Sequence, residues 1–195
     1  KELARQAGKA GAEFLMKTEA IALLKKEGKP AGVRVKNFSK EYDIEADLVV
    51  AADGVESKIA QWAGVNSIVK PSDLETCIQY TLTNVVYPSD YAEFYLGKKI
   101  APGGYVWIFP KGDNTFNVGI GILASLSKPG LAKKLLDGFI QSRDELKNAT
   151  CLRVLTGAVP VAKPVKTVYD RLLLVGDAAR HADPITGGGL TTSLE

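Results

Sequence analysis

Histidine, cysteine and tryptophan are scarce in this chain of 195 residues, which has one His, two Cys and two Trp. His181 alone cannot complete a zinc site, and Cys77 and Cys151 have no metal-ligand spacing, so no metal is expected. Two isolated cysteines point to a reducing, cytosolic setting and read as small buried apolar residues. No run approaches the roughly 18 consecutive apolar residues a membrane-spanning helix needs. No apolar segment of a signal peptide follows Lys1. Charge of one sign is missing too: 25 Lys+Arg against 22 Asp+Glu leave +3, and the basic residues are scattered, which excludes a nucleic-acid footprint. Internal repeats and low-complexity segments are absent. What remains, 46% hydrophobic and 24% charged, is the composition of a globular protein of one large domain or two small ones.

At the N-terminus Leu3, Ala7, Ala10, Phe14 and Leu15 fall on one stripe of a helix already under way. At the other end Gly187-Gly188-Gly189 opens a helix over 190–195, with Leu194-Glu195 readable as native or as a cloning remnant. The expectation is a middle piece of a longer protein. Residues 18–25 alternate as a strand, Gly28-Lys29-Pro30-Ala31-Gly32 reads as the turn, and 33–38 returns as the hairpin partner. A short strand over 42–45 follows. The apolar run over 47–52 reads as a buried parallel strand, ending in Asp53-Gly54 before a helix over 57–64.

Residues 74–123 are dense in β-branched and aromatic residues, with turns at Tyr87-Pro88-Ser89-Asp90, Pro102-Gly103-Gly104 and Lys111-Gly112-Asp113-Asn114. They read as an antiparallel sheet of about four strands. Residues 128–146 form an amphipathic helix with Leu131, Leu135, Leu136 and Phe139 on its apolar side, and 152–161 form a further strand. A second apolar run over 171–175 leads into Gly176-Asp177-Ala178-Ala179. The fold class is α/β (α+β): part of a Rossmann-like domain (1–66 and 166–195) interrupted by an antiparallel-sheet domain (67–165). Ligands of open α/β sheets sit at the carboxyl ends of the strands, so a nucleotide-type site shared by two separated pieces of chain is expected.

Three motifs carry chemistry. In Gly176-Asp177-Ala178-Ala179, followed by Pro184 and Gly187-Gly188-Gly189, the first glycine lets backbone approach a ligand and Asp177 offers a carboxylate to polyol hydroxyls. Ala178 and Ala179 keep the next helix close to the sheet, and the three glycines leave N–H groups free at a helix start. Ala52-Asp53-Gly54-Val55-Glu56-Ser57 combines a strand-end Asp, a permissive Gly and a helix-capping Ser. Tyr105-Val106-Trp107-Ile108-Phe109-Pro110, followed by eight residues and Gly119-Ile120-Gly121, puts three aromatics on one face of a strand. Such a wall suits a long apolar chain, which needs buried area rather than hydrogen bonds.

These motifs, in this order over nearly the whole chain, resemble the FAD enzymes related to para-hydroxybenzoate hydroxylase and, through the Y-x-W-x-F-P…G-x-G signature, the archaeal-type geranylgeranyl reductases. The resemblance implies FAD contacts at Asp53, Gly54 and Ser57 near the pyrophosphate. It implies further FAD contacts at Gly176, Asp177, Pro184, Gly187, Gly188 and Gly189 around the ribityl chain and isoalloxazine. Tyr105, Trp107, Phe109 and Pro110 are implied to bind an isoprenoid lipid. The implied activity is reduction of geranylgeranyl double bonds in membrane-lipid biosynthesis, with electrons from a ferredoxin or NAD(P)H. The implied location is the cytoplasm, with peripheral contact at the cytoplasmic membrane compatible with a lipid substrate.

Two rivals stay open: a flavin monooxygenase or halogenase of the same fold, and a non-catalytic flavin or lipid carrier. The proton donor is unassigned. Tyr105 and His181 are candidates, set against a wall residue with a satisfied hydroxyl and a solvent-facing histidine beside the cofactor loop. The family's redox-active cysteine has no match in Cys77 or Cys151. The family's opening G-x-G-x-x-G is not present, and Gly119-Ile120-Gly121 lies inside a strand, so this chain alone is expected to bind FAD weakly or not at all.

Overall fold

A computed structural model describes residues 2–194 of the chain. The first helix, α1 (Glu2–Lys9), ends earlier than its apolar stripe predicts. Gly11 adopts φ 94°, its N–H donates to Gly8 O (3.1 Å), and the Ala12 N–H donates to Ala7 O (3.0 Å). This pair of bonds closes a helix at a left-handed glycine, so Ala10, Phe14 and Leu15 fall outside it.

The strands β1 (Thr18–Lys26), β2 (Lys29–Asn37) and β3 (Lys40–Glu45) form an antiparallel sheet. The first hairpin turns tighter than expected. Glu27 and Gly28 alone make the turn, both with positive φ (52° and 78°), as the two-residue connection that matches strand twist requires. Residues 29–32 are therefore strand, and the extra length is absorbed by a bulge where Leu24 opposes Gly32 and Lys25 opposes Pro30.

The apolar run over 47–52 contributes β4 (Val49–Ala51), in which Val49 and Ala51 are buried while Val50 is 51% exposed. Among the described residues this strand is covered on one face, not on both as expected. The chain then forms α2 (Lys58–Trp62), with Ser57 as its cap.

The antiparallel sheet has five strands among the described residues: β5 (Leu74–Thr83), β6 (Glu93–Leu96), β7 (Tyr105–Gly112), β8 (Thr115–Leu123) and, after α3 (Leu131–Gln141), β9 (Thr150–Pro160). Their order is β6-β7-β8-β5-β9, so the strand expected over 152–161 joins the same sheet. One face carries Ile78, Leu82, Val106, Ile108, Phe116, Val118, Ile120 and Ile122, which pack under Leu136 and Ile140 of α3. The helix is shorter than the expected 128–146 because Gly130 (φ 79°) sets its start and Ser142 caps its end.

The chain returns through β10 (Val168–Tyr169) and β11 (Leu172–Leu174). β11 runs parallel to β4, with Leu172 opposite Val49 and Leu174 opposite Ala51. Gly176–Ala179 is a single 3₁₀ turn, not the opening of the next helix. That helix, α4 (Leu190–Leu194), begins after the three glycines; Glu195 of the expected helix lies outside the described residues. No helix among the described residues is long and apolar enough to cross a membrane.

Candidate functional site

The parallel pairing of β4 with β11 brings two of the three motifs together. The Val175 N–H donates to Ala51 O (3.0 Å), so the Asp53-Gly54 and Gly176-Asp177 turns leave the same end of adjacent strands. They do different work. Asp53 accepts from the Ser57 hydroxyl at 2.5 Å and from the Ile59 N–H at 3.0 Å, while Ser57 Oγ accepts from the Ala60 N–H at 3.1 Å. Both side chains are committed to starting α2. What they leave for a ligand is backbone, at Gly54 with φ 85° and open space beside it.

Asp177 is the opposite case. Its carboxylate accepts no hydrogen bond among the described residues and stands against Gly189, where an added Cβ would come within 3.5 Å of Oδ1. Burial pushes its pKa above the usual aspartate value. Gly176 sits in the left-handed region at φ 62°, which glycine adopts without strain.

The loop after it is braced from within. Asp183 accepts from the N–H groups of Ile185 (3.1 Å) and Thr186 (2.7 Å) and from Thr186 Oγ1 (2.9 Å), and the Thr186 backbone bond leads in holding its carboxyl below the usual range. Of the three glycine N–H groups expected to be free, Gly187 donates to Asp183 O (2.8 Å) and Gly188 to Thr186 Oγ1 (3.2 Å). Their bonds shape the loop.

His181 and Pro184 line a cleft of about 440 Å³, together with Lys163, Pro164, Arg180 and Thr192. His181 is half-buried: its Nδ1 is buried and without a hydrogen-bond partner among the described residues, as is Nε of Arg180. A second cleft of about 840 Å³ lies between α2 and β9, and Ser67, which lines it, also has a buried, unpartnered hydroxyl.

The third motif forms the open face of the five-stranded sheet. Tyr105, Trp107 and Phe109 stand side by side, with ring centroids 5.9 Å and 6.1 Å apart. Phe94 of β6, which sequence reading missed, packs edge-on against Tyr105 and Phe109 at 5.3 Å. Pro110 is out of this wall: it pairs with buried Phe116 and shares the core face with Val106 and Ile108.

The glycines of β8 make the wall possible. Trp107 opposes Gly119, where an added Cβ would lie 2.2 Å from the indole, and its Nε1 donates across the strand to Gln79 Oε1 at 3.1 Å. At Gly121 an added Cβ would meet Oε2 of Glu75 (2.6 Å) and Sγ of Cys77 (3.3 Å). Glu75 and Gln79 were also missed; the signal was there, since alternation in β5 puts both on the face of Cys77. Cys77 is partly buried, its thiol pushed up to about 12 first by burial and then by Glu75, whereas Cys151 is exposed rather than buried as expected.

Wall and loop touch. The Tyr105 hydroxyl donates to the Thr186 carbonyl, and an added Cβ at Gly187 would come within 3.2 Å of that hydroxyl. Tyr105 is therefore the hinge between an apolar sheet face and a glycine loop next to an unpartnered carboxylate.

An antiparallel sheet inserted between two parallel strands, with its open face on the loop after the second, defines an α/β architecture shared with flavoproteins. The chain superposes on a flavin-dependent brominase with a TM-score of 0.78 at 18% identity, over 99% of this chain and 50% of that one. Sequence narrows the class. Residues 73–159 match the family model described as geranylgeranyl reductase catalytic domain. A digeranylgeranylglycerophospholipid reductase of Methanothrix thermoacetophila is 45% identical over 99% of this chain and 49% of that protein. The crystal structure of a geranylgeranyl bacteriochlorophyll reductase-like protein from Thermoplasma acidophilum superposes with a TM-score of 0.93 at 41% identity, over 99% of this chain and 49% of that one. The chain is thus similar in sequence to geranylgeranyl reductases, and it spans about half the length of the curated relatives it matches.

Proposed function

We propose that the full-length protein carrying this chain is a flavin-dependent reductase of geranylgeranyl chains on archaeal-type membrane phospholipids. The observation that carries this reading is the contact of Tyr105 with the 186–187 loop, which joins the aromatic wall to the glycine loop beside Asp177. FAD fits that corner. Asp177, half-buried and without a hydrogen-bond partner among the described residues, would accept from the ribityl hydroxyls; Pro184 and Gly187–Gly189 would offer a surface without long side chains to the ring; Gly54 would offer open backbone near the pyrophosphate. The orphaned Arg180 Nε and His181 Nδ1 supply further polar contacts on the same loop.

When bound and reduced, the flavin supplies a hydride equivalent; the protein supplies binding, orientation and a dry surface. Tyr105, Trp107, Phe109 and Phe94 bury the isoprenoid chain and exclude water from its double bonds. Tyr105, whose hydroxyl is committed to Thr186, acts as a wall residue and not as the proton donor. The electron donor is a ferredoxin or NAD(P)H, and the lipid is met at the cytoplasmic membrane surface.

The test is anaerobic. The full-length protein is reduced and mixed with a geranylgeranyl glycerophospholipid while flavin absorbance is followed. Reoxidation by the lipid alone, with saturated product, is the expected result. Reoxidation only on admitting oxygen would move the reading to a monooxygenase or halogenase, and a full-length protein without flavin would leave a carrier.

A further inference from the structure

Glu75, the second residue of β5, is 8% exposed yet has no hydrogen bond or ion pair among the described residues. A carboxyl group largely, though not wholly, withdrawn from water and without a protein partner costs folding free energy, and such groups cluster at functional sites. Its oxygens occupy space left by two glycines: a Cβ at Gly121 would come within 2.6 Å of Oε2, and one at Gly104 within 3.1 Å of Oε1. Both glycines adjoin Tyr105, which follows Gly104 in sequence and opposes Gly121 in the ladder. Glu75 therefore stands at the end of the aromatic wall nearest the 186–187 loop.

The surroundings favour its protonated form. Burial raises its pKa above the ordinary glutamate value. The titratable groups acting on this corner are Cys77 on the same strand, Tyr105 on β7 and Asp183 in the loop, none of them cationic at neutral pH. β8 presents Gly119 and Gly121 here, and β9 presents Gly157 and Val159 opposite Cys77 and Glu75. The other acids nearby are poorer: the Cys77 thiol is pushed up to about 12, and the Tyr105 phenol is raised by burial and donates to Thr186. His181 belongs to the cleft that also holds Lys163 and Thr192.

We propose that Glu75 is the acid that completes double-bond reduction on the aromatic wall, a role that rests on the reductase reading above. One alkene carbon receives hydride from the reduced flavin, and the π electron pair takes the Glu75 proton at the other carbon. Two C–H bonds form, the π bond is lost, the flavin is oxidised by two electrons, and Glu75 is left as a carboxylate that water reprotonates.

The experiment uses the full-length, flavin-loaded protein, reduced without oxygen and mixed with geranylgeranyl glycerophospholipid across a pH series. The wild-type reoxidation rate is expected to fall as pH rises through an apparent pKa above the ordinary glutamate range. Glu75→Gln should slow reoxidation about a hundredfold and abolish that limb, while Glu75→Asp keeps the limb at an intermediate rate. Lipid affinity of the oxidised protein should be unchanged in Glu75→Gln, and the infrared carbonyl band of a protonated carboxylic acid should disappear. A Glu75→Gln protein with wild-type rate and pH profile overturns the proposal, as does one that loses lipid affinity but keeps its saturated rate. A wild-type protein that the lipid does not reoxidise overturns the reductase reading and this role with it.

Discussion

At the scale of single residues, Gly119 is a side chain left out so that Trp107 can lie across the sheet. The indole occupies the position of the missing Cβ and reaches Gln79 two strands away, so both the wall and its hydrogen bond depend on that glycine. Gly119→Ala must push the indole off this seat. Overpacking of this kind costs about 1–3 kcal/mol, so urea unfolding should show a lower midpoint and fluorescence a more solvated tryptophan. An unchanged midpoint would mean that the indole has a second seat. The two glycines were readable in the sequence as strand residues and not as a phosphate loop. Their purpose was not, because it depends on β7 and β5 lying on either side of β8 in one register.

Among the elements, those fixed by neighbours in sequence were legible and those fixed by distant partners were not. Ser57 was readable as a cap because its bonds run only to residues 53 and 60. Replacing it with Ala should cost about 1 kcal/mol, measured as a lower unfolding midpoint, since the Ala60 N–H loses its acceptor and Asp53 loses a donor. Ser57→Asp keeps the acceptor but puts a second carboxylate beside Asp53, and should not rescue. The first hairpin was misplaced because Gly28 and Gly32 look alike in sequence. Only Gly28 is in the turn; Gly32 is a strand residue whose added Cβ would lie 2.0 Å from Ile44 O on β3. The run over 47–52 was overestimated as buried because apolar residues alone do not reveal which faces the chain covers. The meeting of Tyr105 with Thr186 spans 81 residues and has no local signature.

Across the whole molecule, the candidate site leaves a trace in stability. Glu75 and Asp177 are carboxyl groups with pKa values raised by burial and with no partner to offset it. As pH rises above their ordinary values of 4.5 and 3.8, the unfolded chain releases these protons first while the folded chain still holds them. The folded state then binds more protons, so stability falls as pH rises through that window. Asp137 and Asp183 act with the opposite sign: their pKa values are lowered, so their contribution is lost as pH falls below the aspartate range. Cys77, raised to about 12 from 9.0, takes further stability away above pH 9.0. The full-length protein stripped of flavin should therefore show a melting temperature that declines as pH rises above these ordinary carboxylate values. Glu75→Gln combined with Asp177→Asn should flatten that decline and leave the acid limb in place, as calorimetry across a pH series can check. Such a gain from removing two carboxylates would mark them as groups kept at a cost to the fold, which is the behaviour of a site and not of a core. A decline that persists in the double variant would assign it to other groups and remove this support for the role of both residues.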